Sequence, residues 1–259
     1  MDWSAWRRSV ARPGRLRLRR SRLAERESHV SMQRGEKLSH TGEFQKLKDK
    51  QRRIRGTFPE PLSLRVHRSI SWIGCAESSD QNEDGRFIFL WIAFNAAYAD
   101  ERKLQSGPWG ERSNFLEFFN SLSALDREKR IYKAIWDRFS GPVRILMANQ
   151  YTFHPFWQHH NGIEGYADWN ERFEAGARSF TNAFARMDTA RVLSFVFDRL
   201  YVLRNQLVHG GATWAGDINR QQVRDGAAIL SFLVPIFVDL MMDNPHENWG
   251  MPFYPVVSS

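Results

Sequence analysis

The sequence predicts an all-α fold. Three observations carry that expectation. Long segments repeat their apolar residues at helical spacing, no alternation of period two is sustained, and Gly or Pro stop signals fall where the helical patterns end. Apolar residues make up 42% of the 259 positions and aromatics 14%, enough for a sizeable core and too much for a disordered body.

The elements follow in chain order. Residues 1–58 read as a basic N-terminal extension, partly disordered. They hold 17 Lys and Arg against 6 Asp and Glu, a balance of +11. Of the chain's 37 basic and 29 acidic residues, that leaves 20 and 23 for residues 59–259, a balance of −3. Three readings stand for residues 1–31, with their run Arg15-Leu16-Arg17-Leu18-Arg19-Arg20. They are an organelle transit peptide, a flexible arm that grips nucleic acid, or a stretch upstream of a true start at Met32. Residues 43–55 carry Lys46, Lys48, Lys50, Arg52, Arg53 and Arg55 and read as a solvated basic helix or a linker. Pro59 and Pro61 mark a boundary, because the residue before each proline is pushed away from helical geometry.

The body, residues 59–243, opens with a helix carrying Leu62, Leu64, Val66, Ile70 and Ile73, followed by a polar loop at 78–85. Residues 87–99 are apolar almost all round, the pattern of a central helix covered on most sides. Gly107-Pro108 reads as a turn, residues 112–124 and 127–139 as amphipathic helices, and Ser140-Gly141-Pro142 as a break. A short helix is expected at 143–149, an irregular aromatic segment at 150–162, and a helix over 166–187. The next helix starts at Asp188-Thr189, either of which can cap it, and stops at Gly210-Gly211. A last helix covers 218–242, and Asn244-Pro245 opens a C-terminal tail, residues 244–259.

No transmembrane helix is expected. The apolar run from Gly226 to Val238 is shorter than the roughly 20 residues a span needs and contains Pro235. The single cysteine, Cys75, excludes an internal disulfide and fits a reducing compartment, so a cytoplasmic location is expected. No Gly-rich phosphate loop and no Gly-x-Ser-x-Gly elbow is present, which sets aside common nucleotide-binding and acyl-transfer enzymes.

The most informative stretch is Arg204-Asn205-Gln206-Leu207-Val208-His209, at the end of a strongly apolar helix and just before two glycines. An arginine holds a phosphate through paired hydrogen bonds, and a histidine moves protons near neutral pH. Together they can cleave a phosphodiester, the His exchanging protons with a ribose 2′-hydroxyl or the leaving oxygen, the Arg stabilising charge on the phosphate. At about 100° per residue, five residues leave the two side chains roughly 140° apart on one straight helix. Either the last turn unwinds, or two copies of the helix meet around a shared pocket.

This motif resembles that of the HEPN domain superfamily, whose all-helical members carry an Arg, a polar residue and, after four to six intervening positions, a His near the end of a long helix. Arg204, Asn205 and His209 match it, and Leu90-Trp91-Ile92-Ala93-Phe94-Asn95-Ala96-Ala97-Tyr98 looks like the second helix of the Apea-like HEPN group. The resemblance covers roughly residues 60–243. It implies a HEPN-like helical bundle with additional peripheral helices, a homodimer whose two motifs share one cleft, and a metal-independent endoribonuclease with Arg204 and His209 catalytic. Toxin–antitoxin, phage-defence and RNA-processing systems use such domains, so an antitoxin protein is an implied partner beside the RNA substrate. No cofactor, metal or membrane is implied. The alternative is a catalytically inactive helical module that binds RNA or a protein partner.

Asn205 either orients the arginine or faces solvent. Asn95 interrupts a nearly continuous apolar helix, either as a satisfied core amide or as a support beneath the cleft. Glu77, Asp80 and Asp84 precede that helix, and the resemblance admits an acidic residue from this region without choosing among them. His154, His159 and His160 lack the spacing of a metal site. Tyr151, Phe153, Phe156 and Trp157 can stack bases but are better read as packing against the core.

Overall fold

The computed structural model describes residues 42–99, 107–217, 219–252 and 254–255, except for the side chains of residues 107–114. The chain divides into two units, Met1–Ser39 and His40–Ser259. The first lies outside the described residues, and with it the three readings of residues 1–31.

The described chain is all-α. Its helices are α1 (Glu43–Ile54), α2 (Glu60–Glu77), α3 (Glu83–Tyr98), α4 (Gly107–Leu125), α5 (Arg130–Lys133), α6 (Ser140–Ala148), α7 (His154–His160), α8 (Trp169–Ala185), α9 (Thr189–Val208) and α10 (Arg220–Asp243). α5 continues as a wider π turn over Ala134–Arg138. Among the described residues no strand forms.

Three segments expected to interrupt helices instead begin them. Pro108, Pro142 and Pro155 fall in the opening turns of α4, α6 and α7. A first-turn N–H has no intrahelical acceptor to lose, so a proline there starts a helix as readily as it ends one. The segment at 150–162 is accordingly a short 3₁₀ turn (Gln150–Thr152) followed by α7.

α2 and α3 form an antiparallel pair. Ser69 Oγ donates to the Ala93 carbonyl at 2.8 Å, and the buried Arg65 donates to the Ala97 carbonyl at 2.9 Å. Arg65 also reaches the carbonyls of Gly250 and Met251, so the guanidinium ties the tail to the end of α3. α10 runs parallel to α3, with Arg220 at Asp84, Gly226 against Phe87 and Phe237 beside Phe94. Gly226 is needed at that crossing, since a Cβ there would lie 2.8 Å from the Phe87 ring and 2.9 Å from Leu200. α9 packs on α4 through an aromatic centre, with Phe197 4.5 Å from Phe94 and 4.8 Å from Phe119 between ring centroids. Offset and edge contacts of this kind add roughly 0.5–1.5 kcal/mol per pair beyond area burial.

α10 is the one described helix long and apolar enough to cross a membrane, but 72% of its apolar window is buried inside the fold. It is a core helix, as its buried face from Val223 to Met242 shows.

The basic segment at 43–54 packs on the body. Leu47 and Gln51 of α1 are buried, and Lys50 Nζ bridges Asp239 and Asp243 of α10, 2.6 Å from an oxygen of each. At its start the Phe44 N–H donates to Glu77 Oε1 at 3.0 Å. The cations Arg52, Arg53 and Arg55 remain exposed at its far end.

Candidate functional site

Three helix ends converge where the Arg–His motif lies. They are the C-terminus of α9 and, by the parallel course of α3 and α10, the N-termini of both. Asp188 caps α9 at its start, its side chain accepting the Arg191 N–H. The helix then stays α-helical through Val208, with His209 as its C-cap. Gly210 follows at φ 72°, the left-handed geometry a glycine adopts without cost. The Gly211 N–H reaches the Gln206 carbonyl at 2.7 Å and the Gly210 N–H the Leu207 carbonyl at 3.4 Å. This pair of bonds is the Schellman stop, which satisfies the last carbonyls and ends the helix cleanly.

The stop settles one geometric question. α9 does not unwind before His209, so within one chain Arg204 and His209 stand about 140° apart in azimuth and about 7.5 Å apart along the axis. Arg204 is half-buried, and its Nη1 donates to Asn205 Oδ1 at 2.9 Å. Among the described residues, no carboxylate pairs with it. Asn205 therefore steadies the guanidinium. His209 and Val208 are exposed, and the His209 N–H donates to the Asn205 carbonyl at 2.9 Å.

The structure does not bring Asn95 to this end. It is half-buried on α3, eleven positions beyond Asp84, or roughly 16 Å along the axis. Its neighbour Phe94 packs on Phe197, two turns before Arg204.

The three acidic residues separate by position. Glu77 is occupied by the start of α1, and Asp80 is exposed. Asp84, buried to 8% exposure, lies at the motif end. Its two oxygens receive Arg220 Nη1 at 2.8 Å and Nη2 at 3.1 Å, and one also accepts the Ala215 N–H at 2.8 Å. Burial alone would raise the pKa of this carboxyl. The Arg220 and Ala215 hydrogen bonds, with the Arg220 charge, outweigh it and hold the value below the ordinary one.

A second set of contacts grips the same loop. Gln206, inside the motif, donates to the Tyr151 carbonyl at 2.6 Å and accepts from Asn219 Nδ2 at 2.8 Å. Asn219 Oδ1 in turn accepts a longer bond from Asn149 at 3.4 Å. The α9–α10 loop is thus pinned to α3 by Asp84, to α9 by Gln206 and to the 3₁₀ turn beyond. Sequence reasoning missed Asp84, Gln206, Asn219 and Arg220 as a set. Nothing in their spacing announces it, although an acidic residue in a helix's first turn and a glutamine inside an apolar run were visible signals.

The aromatic segment packs. Phe156 is buried against His160, Trp157 and Trp169, and Phe153 lies between Phe173 and the buried Arg199, whose guanidinium sits 4.4 Å from the Phe153 centroid. Tyr151 keeps 46% of its surface exposed. Burial lowers the His154 pKa, only partly countered by Asp198. Among the described residues no group of three or more His, Cys, Asp or Glu is placed to hold a metal ion. Cys75 lines a groove of about 670 Å³ between α1 and α2, with Phe44, Lys48, His67 and Ile70, to which no motif residue contributes. Comparison of the chain with protein-family models, curated proteins and solved structures gave no match.

Proposed function

We propose that the chain is a metal-independent endoribonuclease of the HEPN type, acting as a homodimer in which Arg204 and His209 of facing motifs share one cleft. The observation that carries this reading is the end of α9. It presents a guanidinium with no carboxylate partner among the described residues and, five positions on, an exposed imidazole, both on a helix stopped firmly by Gly210 and Gly211. The roughly 140° between them disfavours a site inside one chain and favours a composite of two.

In the proposed reaction His209 accepts the 2′-hydroxyl proton as that oxygen attacks the adjacent phosphorus. A histidine at the cleft then returns a proton to the departing 5′-oxygen. Arg204 balances the charge that grows on the phosphate oxygens, and Asn205 holds its plane. A toxin or phage-defence role with a neutralising antitoxin protein, in the cytoplasm, follows from the resemblance.

The test is cleavage of a labelled RNA in EDTA by wild type, Arg204→Ala and His209→Ala. Each variant should cleave at least about 100-fold more slowly while keeping the wild-type melting temperature. Undiminished cleavage by either, or a strict metal requirement, overturns the reading. The divergence of the pair on one helix also favours a second reading, an inactive module that binds RNA or a protein partner. No cleavage by wild type, with retained binding, would select it.

A further inference from the structure

We propose that Trp214 is a stacking platform for an unpaired nucleobase of single-stranded RNA laid across the end of α9. The proposal rests on the α9 end being an RNA site and adds to it the residue that grips a base. Trp214 is 78% exposed, more than any other large apolar side chain among the described residues. Its neighbours from Gly210 to Asp217 are Gly, Ala, Thr and Asp, so it stands alone on its loop.

The loop is anchored rather than loose. The Gly211 and Ala212 N–H groups both point at the Gln206 carbonyl, at 2.7 and 3.2 Å. One residue past the tryptophan, the Ala215 N–H is fixed on Asp84, and Arg220 Nε donates to the Gly216 carbonyl at 2.9 Å. Ala215 sits at φ 52°, a left-handed conformation that costs a residue with a Cβ about 1–2 kcal/mol. At Gly216 a Cβ would come within 2.3 Å of Thr213 Oγ1 and 3.0 Å of the Thr213 carbonyl oxygen, so the turn is tight. The fold thus holds a strained, pinned backbone on both sides of an indole that it leaves in water.

Position connects this indole with the motif. Ala212 is bonded to Gln206, and Trp214 follows two residues later, so the Trp214 and Gln206 Cα atoms lie within about 14 Å. Arg204 lies two residues before Gln206, about 160° around α9 from it, so the platform and the guanidinium grip different parts of the strand. A protein partner needs a contiguous apolar patch around an aromatic anchor, and this loop offers none. A base needs only one flat face, and the stacking is tolerant of sequence.

The test uses full-length protein and a short fluorescent RNA with 2′-O-methyl riboses, which cannot be cleaved, read by anisotropy. Trp214→Ala should weaken binding roughly 5- to 150-fold, and Trp214→Phe should recover most of the loss. On a matched abasic strand, wild type and Trp214→Ala should bind alike. Equal binding of both proteins to the base-bearing strand overturns the proposal, as does a deficit that persists on the abasic strand. So does a Trp214→Ala protein whose mass by light scattering drops from dimer to monomer. If Arg204→Ala and His209→Ala cleave normally while Trp214→Ala binds weakly, the nuclease reading falls and the platform stands. If those variants are inactive and Trp214→Ala binds normally, the platform alone falls.

Discussion

A composite cleft predicts that two inactive variants restore each other. Because α9 is helical through Val208, Arg204 and His209 of one chain are separated by about 140° and about 7.5 Å. If each site takes its arginine from one protomer and its histidine from the other, an Arg204→Ala/His209→Ala heterodimer contains one intact site and one doubly damaged site. Random exchange of equal amounts makes half the dimers mixed, so activity should recover to about a quarter of wild type. Each variant alone should retain about 1% or less. The signal is therefore about 25-fold or more above background. The assay is initial-rate cleavage of a fluorogenic RNA in EDTA by an equal, fully exchanged mixture of the two differently tagged variants, with co-purification of the tags showing that mixed dimers form. Mixed dimers that form and stay folded but cleave no faster than the parent variants would refute the reasoning. The catalytic pair would then have to act within one chain.

Asp84→Asn should cost about 3 kcal/mol at neutral pH, the low end for a buried pair, since the Arg220 side chain is 22% exposed. The folded pKa of Asp84 lies below its unfolded value of about 3.9, so its contribution is complete above that value and is lost as pH falls through the folded pKa. Urea unfolding should show the gap between wild type and variant closing below about pH 4, and a gap that persists there contradicts the assignment. Gly210→Ala should lose about 1 kcal/mol by thermal melting, from backbone strain alone, because no atom lies within 4 Å of the added methyl; an unchanged melting temperature would contradict the Schellman stop. Deleting residues 1–41 should leave the melting temperature unchanged and weaken RNA binding mainly at low salt. Deleting residues 1–58 should cost at least about 2 kcal/mol more, because Leu47 and the Lys50 bridges go with it. Equal stability of the two truncations would show that α1 is not part of the body.

Helices were legible wherever one face repeated. Residues 189–208 show the pattern, the cap and the stop in sequence, and α9 occupies them. Prolines were misread at 108, 142 and 155 because the same residue closes one helix and opens another, and only the downstream hydrogen bonds distinguish the two. α1 is the helix that one of its two readings expected, but its docking was missed for a different reason. Its cations suggest a solvated helix, but Lys50 finds two carboxylates 189 and 193 positions away, and Phe44 fits over Gly74, where a Cβ would sit 2.7 Å from the ring. The candidate motif was visible as a string, whereas the clamp around it was not. Asp84 and Arg220 are separated by 136 positions, and their meeting depends on α3 and α10 running parallel. Local patterns report local structure; long-range polar pairs emerge only after packing.

The docking of α1 also changes where attraction for RNA must come from. Residues 1–39 hold 11 basic and 4 acidic residues, a balance of +7, which leaves 26 and 25 for His40–Ser259, a balance of +1. Some of the body's cations are also paired internally: Arg220 by Asp84, Lys50 and Arg130 by Asp239. A nearly neutral surface supplies little of the phosphate attraction that dominates general nucleic-acid binding. On the proposed function, the basic segment provides salt-sensitive capture. The end of α9 then works at short range, through Arg204 and His209 on a phosphate and Trp214 on a base. The two contributions should separate with ionic strength. Raising salt should erase the effect of deleting residues 1–41 and preserve that of Trp214→Ala, because stacking releases no counterions.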